Sequence, residues 1–223
     1  MNPMERTITR SQESVLATNS VIRNTYILLS MTLLCSAAMA GLSMLLAMPM
    51  GTYLVAVIVS MVLGIFVLPR TANSAAGIGV IFLITGLMGF GLGAVLTQYL
   101  ALPKGPQIIG TAFGGTGVIF LGLSGYALTS KRDFSFMGGF LFAGMLVVLL
   151  AMLANIFLGM PALSLAVSAG IMLLMSGFIL FDTSRIINGG ETNYIMATYG
   201  LYLSIFNIFI SLLNILGLMS GED

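Results

Sequence analysis

The feature that most constrains this chain is a series of apolar stretches, each about as long as a bilayer is thick. A hydrocarbon core of about 30 Å takes roughly 20 apolar residues per helix. Such stretches are predicted at Thr25 to Met48, Gly51 to Leu68, Ala75 to Tyr99, Gln107 to Thr129, Phe134 to Leu158, Pro161 to Asp182 and Asn193 to Met219. Within them the one formal charge is Asp182. The connections between them, such as Pro49-Met50, Ser130 to Asp133 and Gly159-Met160, are too short to hold another domain. Successive helices must therefore run antiparallel. The expected fold is an all-α integral membrane protein of seven transmembrane helices.

Composition agrees. Apolar residues make up 58% of the 223 and charged ones 7%, against roughly 25% charged in soluble domains. So few charges cannot cover a water-soluble surface, which excludes a soluble enzyme, a nucleic-acid binder and a disordered regulator. With no His and 1 Cys, the chain builds no zinc site, haem ligand pair, Cys-His dyad or internal disulfide, and no cofactor is expected. An intramembrane hydrolase would have only an unsupported Ser as nucleophile.

Arg6, Arg10, Arg23, Arg70, Lys131, Arg132 and Arg185 fall on one side of the predicted bundle and Lys104 on the other. The positive-inside rule then places the N-terminus in the cytoplasm and the C-terminus on the far side. Residues 1–24 form a polar cytoplasmic tail, 25–219 the seven-helix domain and 220–223 a short C-terminal tail. Fully extended at about 3.3 to 3.6 Å per residue, the N-terminal tail would reach roughly 80 Å. It reads either as a frayed terminus or as a handle for a partner. Ala38-Met39-Ala40 resembles a signal-peptidase site, but the long polar lead and full-length apolar run predict a retained anchor. Cys35 is read as a buried small hydrophobe.

Glycines crowd the third and fourth stretches, among them Gly86, Gly89 and Gly93, then Gly110, Gly114, Gly117 and Gly122. In lipid, small residues three or four apart let helix backbones approach, so both stretches are expected to pack closely. Neither has the strand before it or the Lys-Ser/Thr after it that a phosphate loop needs.

Two polar features stand out. In the last stretch, Ala197, Gly200, Ser204, Asn207, Ser211 and Asn214 recur every three or four residues, giving one helical stripe of small and polar groups. Asn needs hydrogen-bond partners in hydrocarbon, which places this helix inside the bundle. The stripe reads as a packing seam or as part of a hydrated path. Asp182 is the second feature. At mid-bilayer a carboxylate costs about 2.5 to 3.5 kcal/mol on insertion scales, and less near the interface. Arg185, at i+3, is positioned for a local ion pair that would anchor a helix end. The other reading is a proton- or cation-responsive gate, with Asp182 as a weak cation ligand and no certain metal site.

The order and spacing of several motifs resemble the transmembrane Bax inhibitor motif family, most closely its bacterial YccA-like branch. They include Arg23-Asn24-Thr25-Tyr26, Phe136-Met137-Gly138-Gly139, Ala154-Asn155-Ile156-Phe157-Leu158, Gly189-Gly190-Glu191-Thr192-Asn193-Tyr194 and Leu201-Tyr202-Leu203-Ser204-Ile205-Phe206-Asn207. The resemblance implies a seven-helix bundle with the last helix central, located in a bacterial inner membrane with the C-terminus periplasmic. It also implies a modulator of the membrane AAA protease FtsH, which would grip residues 1–24. In calcium-leak members, two acids on the last two helices form a pH-responsive gate. Asp182 matches the first acid, but Ser204 stands at the second, so a carboxylate pair sharing a proton does not form there. Ser204 retains the capacity to hydrogen-bond Asp182, which leaves a calcium or cation leak gated at Asp182 as the alternative.

Overall fold

A computed structural model describes residues 3–220, with side chains from residue 18 onward. Seven helices follow one another: α1 (Pro3–Leu45), α2 (Gly51–Thr71), α3 (Ala75–Leu100), α4 (Gly105–Ser130), α5 (Ser135–Leu158), α6 (Pro161–Ile187) and α7 (Tyr194–Ser220). All 7 are long and apolar enough to cross a membrane, the first over Thr18–Leu45. The chain is an all-α membrane protein, and the described residues include no strand.

The first helix ends at Leu45 rather than Met48, and at three other boundaries helix runs well past the hydropathy reading. α1 continues N-terminally without a break to Pro3, so residues 3–24 are helical rather than extended. Its 43 residues span about 64 Å at 1.5 Å per residue, roughly twice a hydrocarbon core. Met1, Asn2 and the end of the C-terminal tail, residues 221–223, lie outside the described residues, as do the side chains of residues 3–17. α2 passes the expected end at Leu68 by crossing Pro69 with a π-helical turn over Leu63–Val67, in which the Leu68 amide donates to the Leu63 carbonyl. Pro69 has no N–H to give Ile65 and its ring crowds that carbonyl, so a wider turn relieves the clash. α6 runs past Asp182 to Ile187 and stops where Gly189 takes a positive φ of 73°.

Turns are capped by local polar groups. Asp133 Oδ1 accepts from the Ser135 amide at 2.8 Å and its hydroxyl at 2.5 Å, starting α5. These bonds hold the Asp133 carboxyl below its ordinary range, so the cap persists until the pH falls through that lowered value. Asn193 Oδ1 accepts from the Ile195 and Met196 amides at 2.9 and 3.1 Å and caps α7. Its Nδ2 donates to the Ala72 carbonyl and to Asn73 Oδ1, tying the start of α7 to the α2–α3 turn.

α7 packs against α1, α3, α4 and α6 and is central, as expected, while α5 leans on α6. α3 shares the centre: 56% of its most apolar window is buried, against 44% for α7 and 6% for α5. Glycine explains this. A Cβ at Gly89 would lie 2.6 Å from the Cα and Oγ of Ser36, and one at Gly93 2.6 Å from the Ser43 Cβ, so α3 lies directly on the α1 backbone. Tyr202 of α7 completes the joint. Its hydroxyl donates to the Thr85 carbonyl of α3 at 3.2 Å and pairs with the Ser36 hydroxyl of α1 at 2.7 Å.

The α4 glycines behave otherwise. Nothing lies within 4 Å of a Cβ built at Gly110, Gly114, Gly117, Gly122 or Gly125, so the expectation of close packing fails for most of that helix. Gly89→Ala should therefore lower stability by about 1 to 3 kcal/mol through overpacking. Gly122→Ala should change it by no more than about 1 kcal/mol, set by helix propensity. Thermal unfolding of the purified chain in detergent compares them, and equal shifts would contradict the packing difference.

Candidate functional site

The polar residues singled out from sequence converge where α7 faces α6, but they divide between two cavities. The first has a volume of about 400 Å³ and lies beneath the α6–α7 loop. Asp182 and Arg185 line it from α6, Gly200, Ser204 and Asn207 from α7, and Glu191 from the loop. Ser211 and Asn214 line the second, of about 380 Å³, toward the other end of the bundle. The stripe is thus one continuous face toward α6 with two separate hollows along it.

Gly200 is what lets Asp182 sit there. A Cβ on residue 200 would lie 2.7 Å from Asp182 Oδ2, so the carboxylate rests against the bare backbone of α7. Because α6 continues for five residues beyond it, Asp182 stands about 7.5 Å inside the helix end. Among the described residues it makes no hydrogen bond and no ion pair. Ser204, one turn beyond Gly200, is buried in the same cavity without bonding to Asp182. Asn207 Nδ2 donates to the Leu203 carbonyl at 2.8 Å, satisfying that amide within its own helix.

Arg185 corrects the sequence reading most clearly. Its guanidinium pairs with Glu191 at 3.6 Å rather than with Asp182. It also donates to the Gly190 carbonyl at 3.2 Å and lies over the Phe181 ring, 5.5 Å from its centroid. The loop makes this possible. With Gly189 left-handed, the Gly190 and Glu191 amides both turn back to the Arg185 carbonyl, at 2.7 and 3.1 Å, which brings Glu191 over the end of α6. Hydropathy carried no sign of the Glu191 pairing, although the Gly189-Gly190 doublet marks a reversal at that point.

Asp182 and Glu191 are the acids of this cavity and Arg185 its cation. Such a site can hold a proton or attract a cation at Asp182. Among the described residues there is no cluster of three His, Cys, Asp or Glu side chains able to hold a metal.

A family model described as "Inhibitor of apoptosis-promoting Bax1" matches residues 18–221. The chain belongs to the Bax inhibitor family. Full-length relatives reinforce the assignment. An uncharacterized membrane protein of Vibrio cholerae is 50% identical over 223 residues, covering 100% of both chains. The Escherichia coli K12 protein named Modulator of FtsH protease YccA is 49% identical over 221 residues, 98% of this chain and 100% of the relative. An uncharacterized protein of Pseudomonas aeruginosa is 46% identical over 205 residues, 92% of each chain. As a Bax inhibitor family member this chain is related to a regulatory protein of the inner membrane.

The Asp182–Gly200 contact sets a specific expectation. Gly200→Ala should destabilise the chain by about 1 to 3 kcal/mol, because the added methyl displaces a carboxylate. Combining it with Asp182→Ala should recover most of that loss. A double-mutant cycle by thermal unfolding measures the coupling, and strictly additive effects would show that the two residues do not press on one another.

Proposed function

We propose that this chain is a non-enzymatic inner-membrane regulator that binds the AAA protease FtsH and restrains its action on membrane substrates. The observation that carries this reading is the likeness, over nearly the whole of both chains, to the Escherichia coli protein named for modulating FtsH. The N-terminus faces the cytoplasm in this reading and the C-terminus the periplasm, following the distribution of Lys and Arg.

The handle is the N-terminal end of α1. Residues 3–17 precede the membrane span that begins at Thr18, and a helical stretch of that length projects about 22 Å. Outside the bilayer so short a helix is marginal on its own, so a protease that pulls on it meets little resistance before the bundle. The buried joint of α1, α3 and α7 then opposes further unfolding. Deleting residues 2–17 should reduce co-purification with FtsH and relieve the restraint on turnover of a membrane substrate. Unchanged capture and unchanged turnover would overturn the mechanism.

A second reading, a pH-sensitive calcium or cation leak gated at Asp182, is favoured by one observation. The Asp182 carboxylate faces a cavity without a hydrogen-bond or ion-pair partner among the described residues, while Arg185 is held by Glu191. With all three ionised the cavity carries one net negative charge, which attracts protons or cations. In proteoliposomes loaded with a calcium indicator, Asp182→Asn should abolish pH-dependent calcium entry. Entry equal to that of the unsubstituted chain would remove Asp182 from any gating role.

A further inference from the structure

The second cavity differs chemically from the first. No charged residue lines it. Its polar groups come from five helices: Tyr53 of α2, Tyr99 of α3, Asn155 of α5, Ser164 and Ser168 of α6, and Ser211 and Asn214 of α7. Their bonding is lopsided. Asn214 Nδ2 donates to both Ser164 Oγ and Ser168 Oγ, at 2.9 and 2.7 Å, so these hydroxyls are already engaged as acceptors and keep their own hydrogens. Ser211 is buried, 2% exposed as a residue, and among the described residues its hydroxyl has no partner, although it lines the cavity. The Tyr53 and Tyr99 hydroxyls likewise make no hydrogen bond among the described residues. The cavity thus presents, with no formal charge, three hydroxyls, those of Ser211, Tyr53 and Tyr99, whose hydrogens are free to donate to a ligand. Val95, Val167, Ile171, Ile210 and Leu213 supply apolar walls. A complementary ligand is a neutral acceptor joined to hydrocarbon.

Depth narrows the class further. Ser164 and Ser168 follow the α6 start at Pro161, and Ser211 and Asn214 precede the α7 end at Ser220, which places them about 5 to 14 Å in from the helix ends at 1.5 Å per residue. A bilayer of about 40 to 45 Å overall has a core of about 30 Å, leaving some 5 to 7 Å of interface on each side. These residues therefore span the boundary between interface and hydrocarbon, the level at which a membrane lipid carries its acyl-ester carbonyls, while Tyr53 and Tyr99, within two residues of the ends of α2 and α3, lie on its interfacial side. The cavity is walled by α2 and α3 on one side and by α5 on the other, and α2 packs on α3 while α5 packs on α6. A ligand coming from the bilayer would enter between α2 and α5, which face each other across the cavity.

We propose that this cavity is a lipid site, in which the ester-bearing glycerol backbone of a diacyl lipid enters between α2 and α5 and accepts hydrogen bonds from Ser211, Tyr53 and Tyr99. The absence of charge selects for the ester segment rather than for a phosphate, which stays outside at the membrane surface. Unlike water, a lipid fills the apolar walls as well as the donors.

The test uses the full-length chain in nanodiscs doped with a diacylglycerol bearing a photoreactive group beside its ester. It compares the wild type with the triple variant Tyr53→Phe, Tyr99→Phe, Ser211→Ala. Each change removes one oxygen that bonds to nothing else among the described residues, so folding, followed by thermal unfolding, should be retained. Crosslinks are expected at residues 164–171 and 210–214, and the variant should lose about tenfold or more of that labelling, as expected for losing one or more hydrogen bonds. Equal labelling of the two proteins would overturn the proposal. So would labelling spread over the lipid-facing side of α5, or failure of an ether-linked analogue, which offers weaker acceptors, to label less than the ester. If the variant does not fold, the crosslink map and the ether–ester comparison on the wild type still decide the question.

Discussion

The bundle depends on α1 and α3 lying backbone to backbone. Lipid offers helices no hydrophobic reward for associating, because its chains are as apolar as the side chains they would replace. Contact distance and hydrogen bonds must do the work. Gly89 and Gly93 remove the atoms that would hold the helices apart, and Tyr202 brings its hydroxyl to Ser36 and Thr85, so α7 is fixed to the same joint. With that joint in place, the opposite side of α7 is left facing α6.

That remaining face carries the polar chemistry. A fully packed seam would have paired every small residue of α7 with a neighbour on α6. Instead, Gly200 makes room for a carboxylate and Asn214 donates to two hydroxyls, and the space around each stays open. The two hollows have different electrostatic characters because their walls come from different places. Beneath the α6–α7 loop the chain supplies Asp182, Arg185 and Glu191, and at the far end it supplies only neutral hydroxyls and carboxamides. Charge is tolerated in the first because it lies near the end of the bundle, where the α6–α7 loop brings Glu191 to Arg185.

Much of this was legible in the amino-acid sequence. The spans followed from hydropathy, with the larger errors at Thr25, Met48, Leu68 and Asp182; at all of these but Met48 helix continues beyond the expected apolar stretch. The helical spacing of Ala197 through Asn214 identified one face of α7, and the absence of charge elsewhere in the spans singled out Asp182. The pairing of Arg185 was not legible. An i+3 spacing suggested Asp182, but the left-handed Gly189 returns Glu191 to the guanidinium, a contact that depends on the path of a loop. The two glycine-rich helices were likewise indistinguishable by composition, yet only α3 uses most of its glycines for contact within the chain.

The sequence by itself determined that the chain lies in a membrane, how many times it crosses, and which residues are too polar to face lipid. Those properties depend on the transfer of each segment from water to an apolar medium, and that free energy is nearly local to the segment. Only the tertiary structure decided which small residues meet a neighbouring helix, which counter-ion Arg185 takes, and that the α7 stripe borders two cavities rather than one. Lipid and protein interior are equally apolar to a hydropathy scale, so the choice between them rests on shape and hydrogen bonding between segments far apart in the chain.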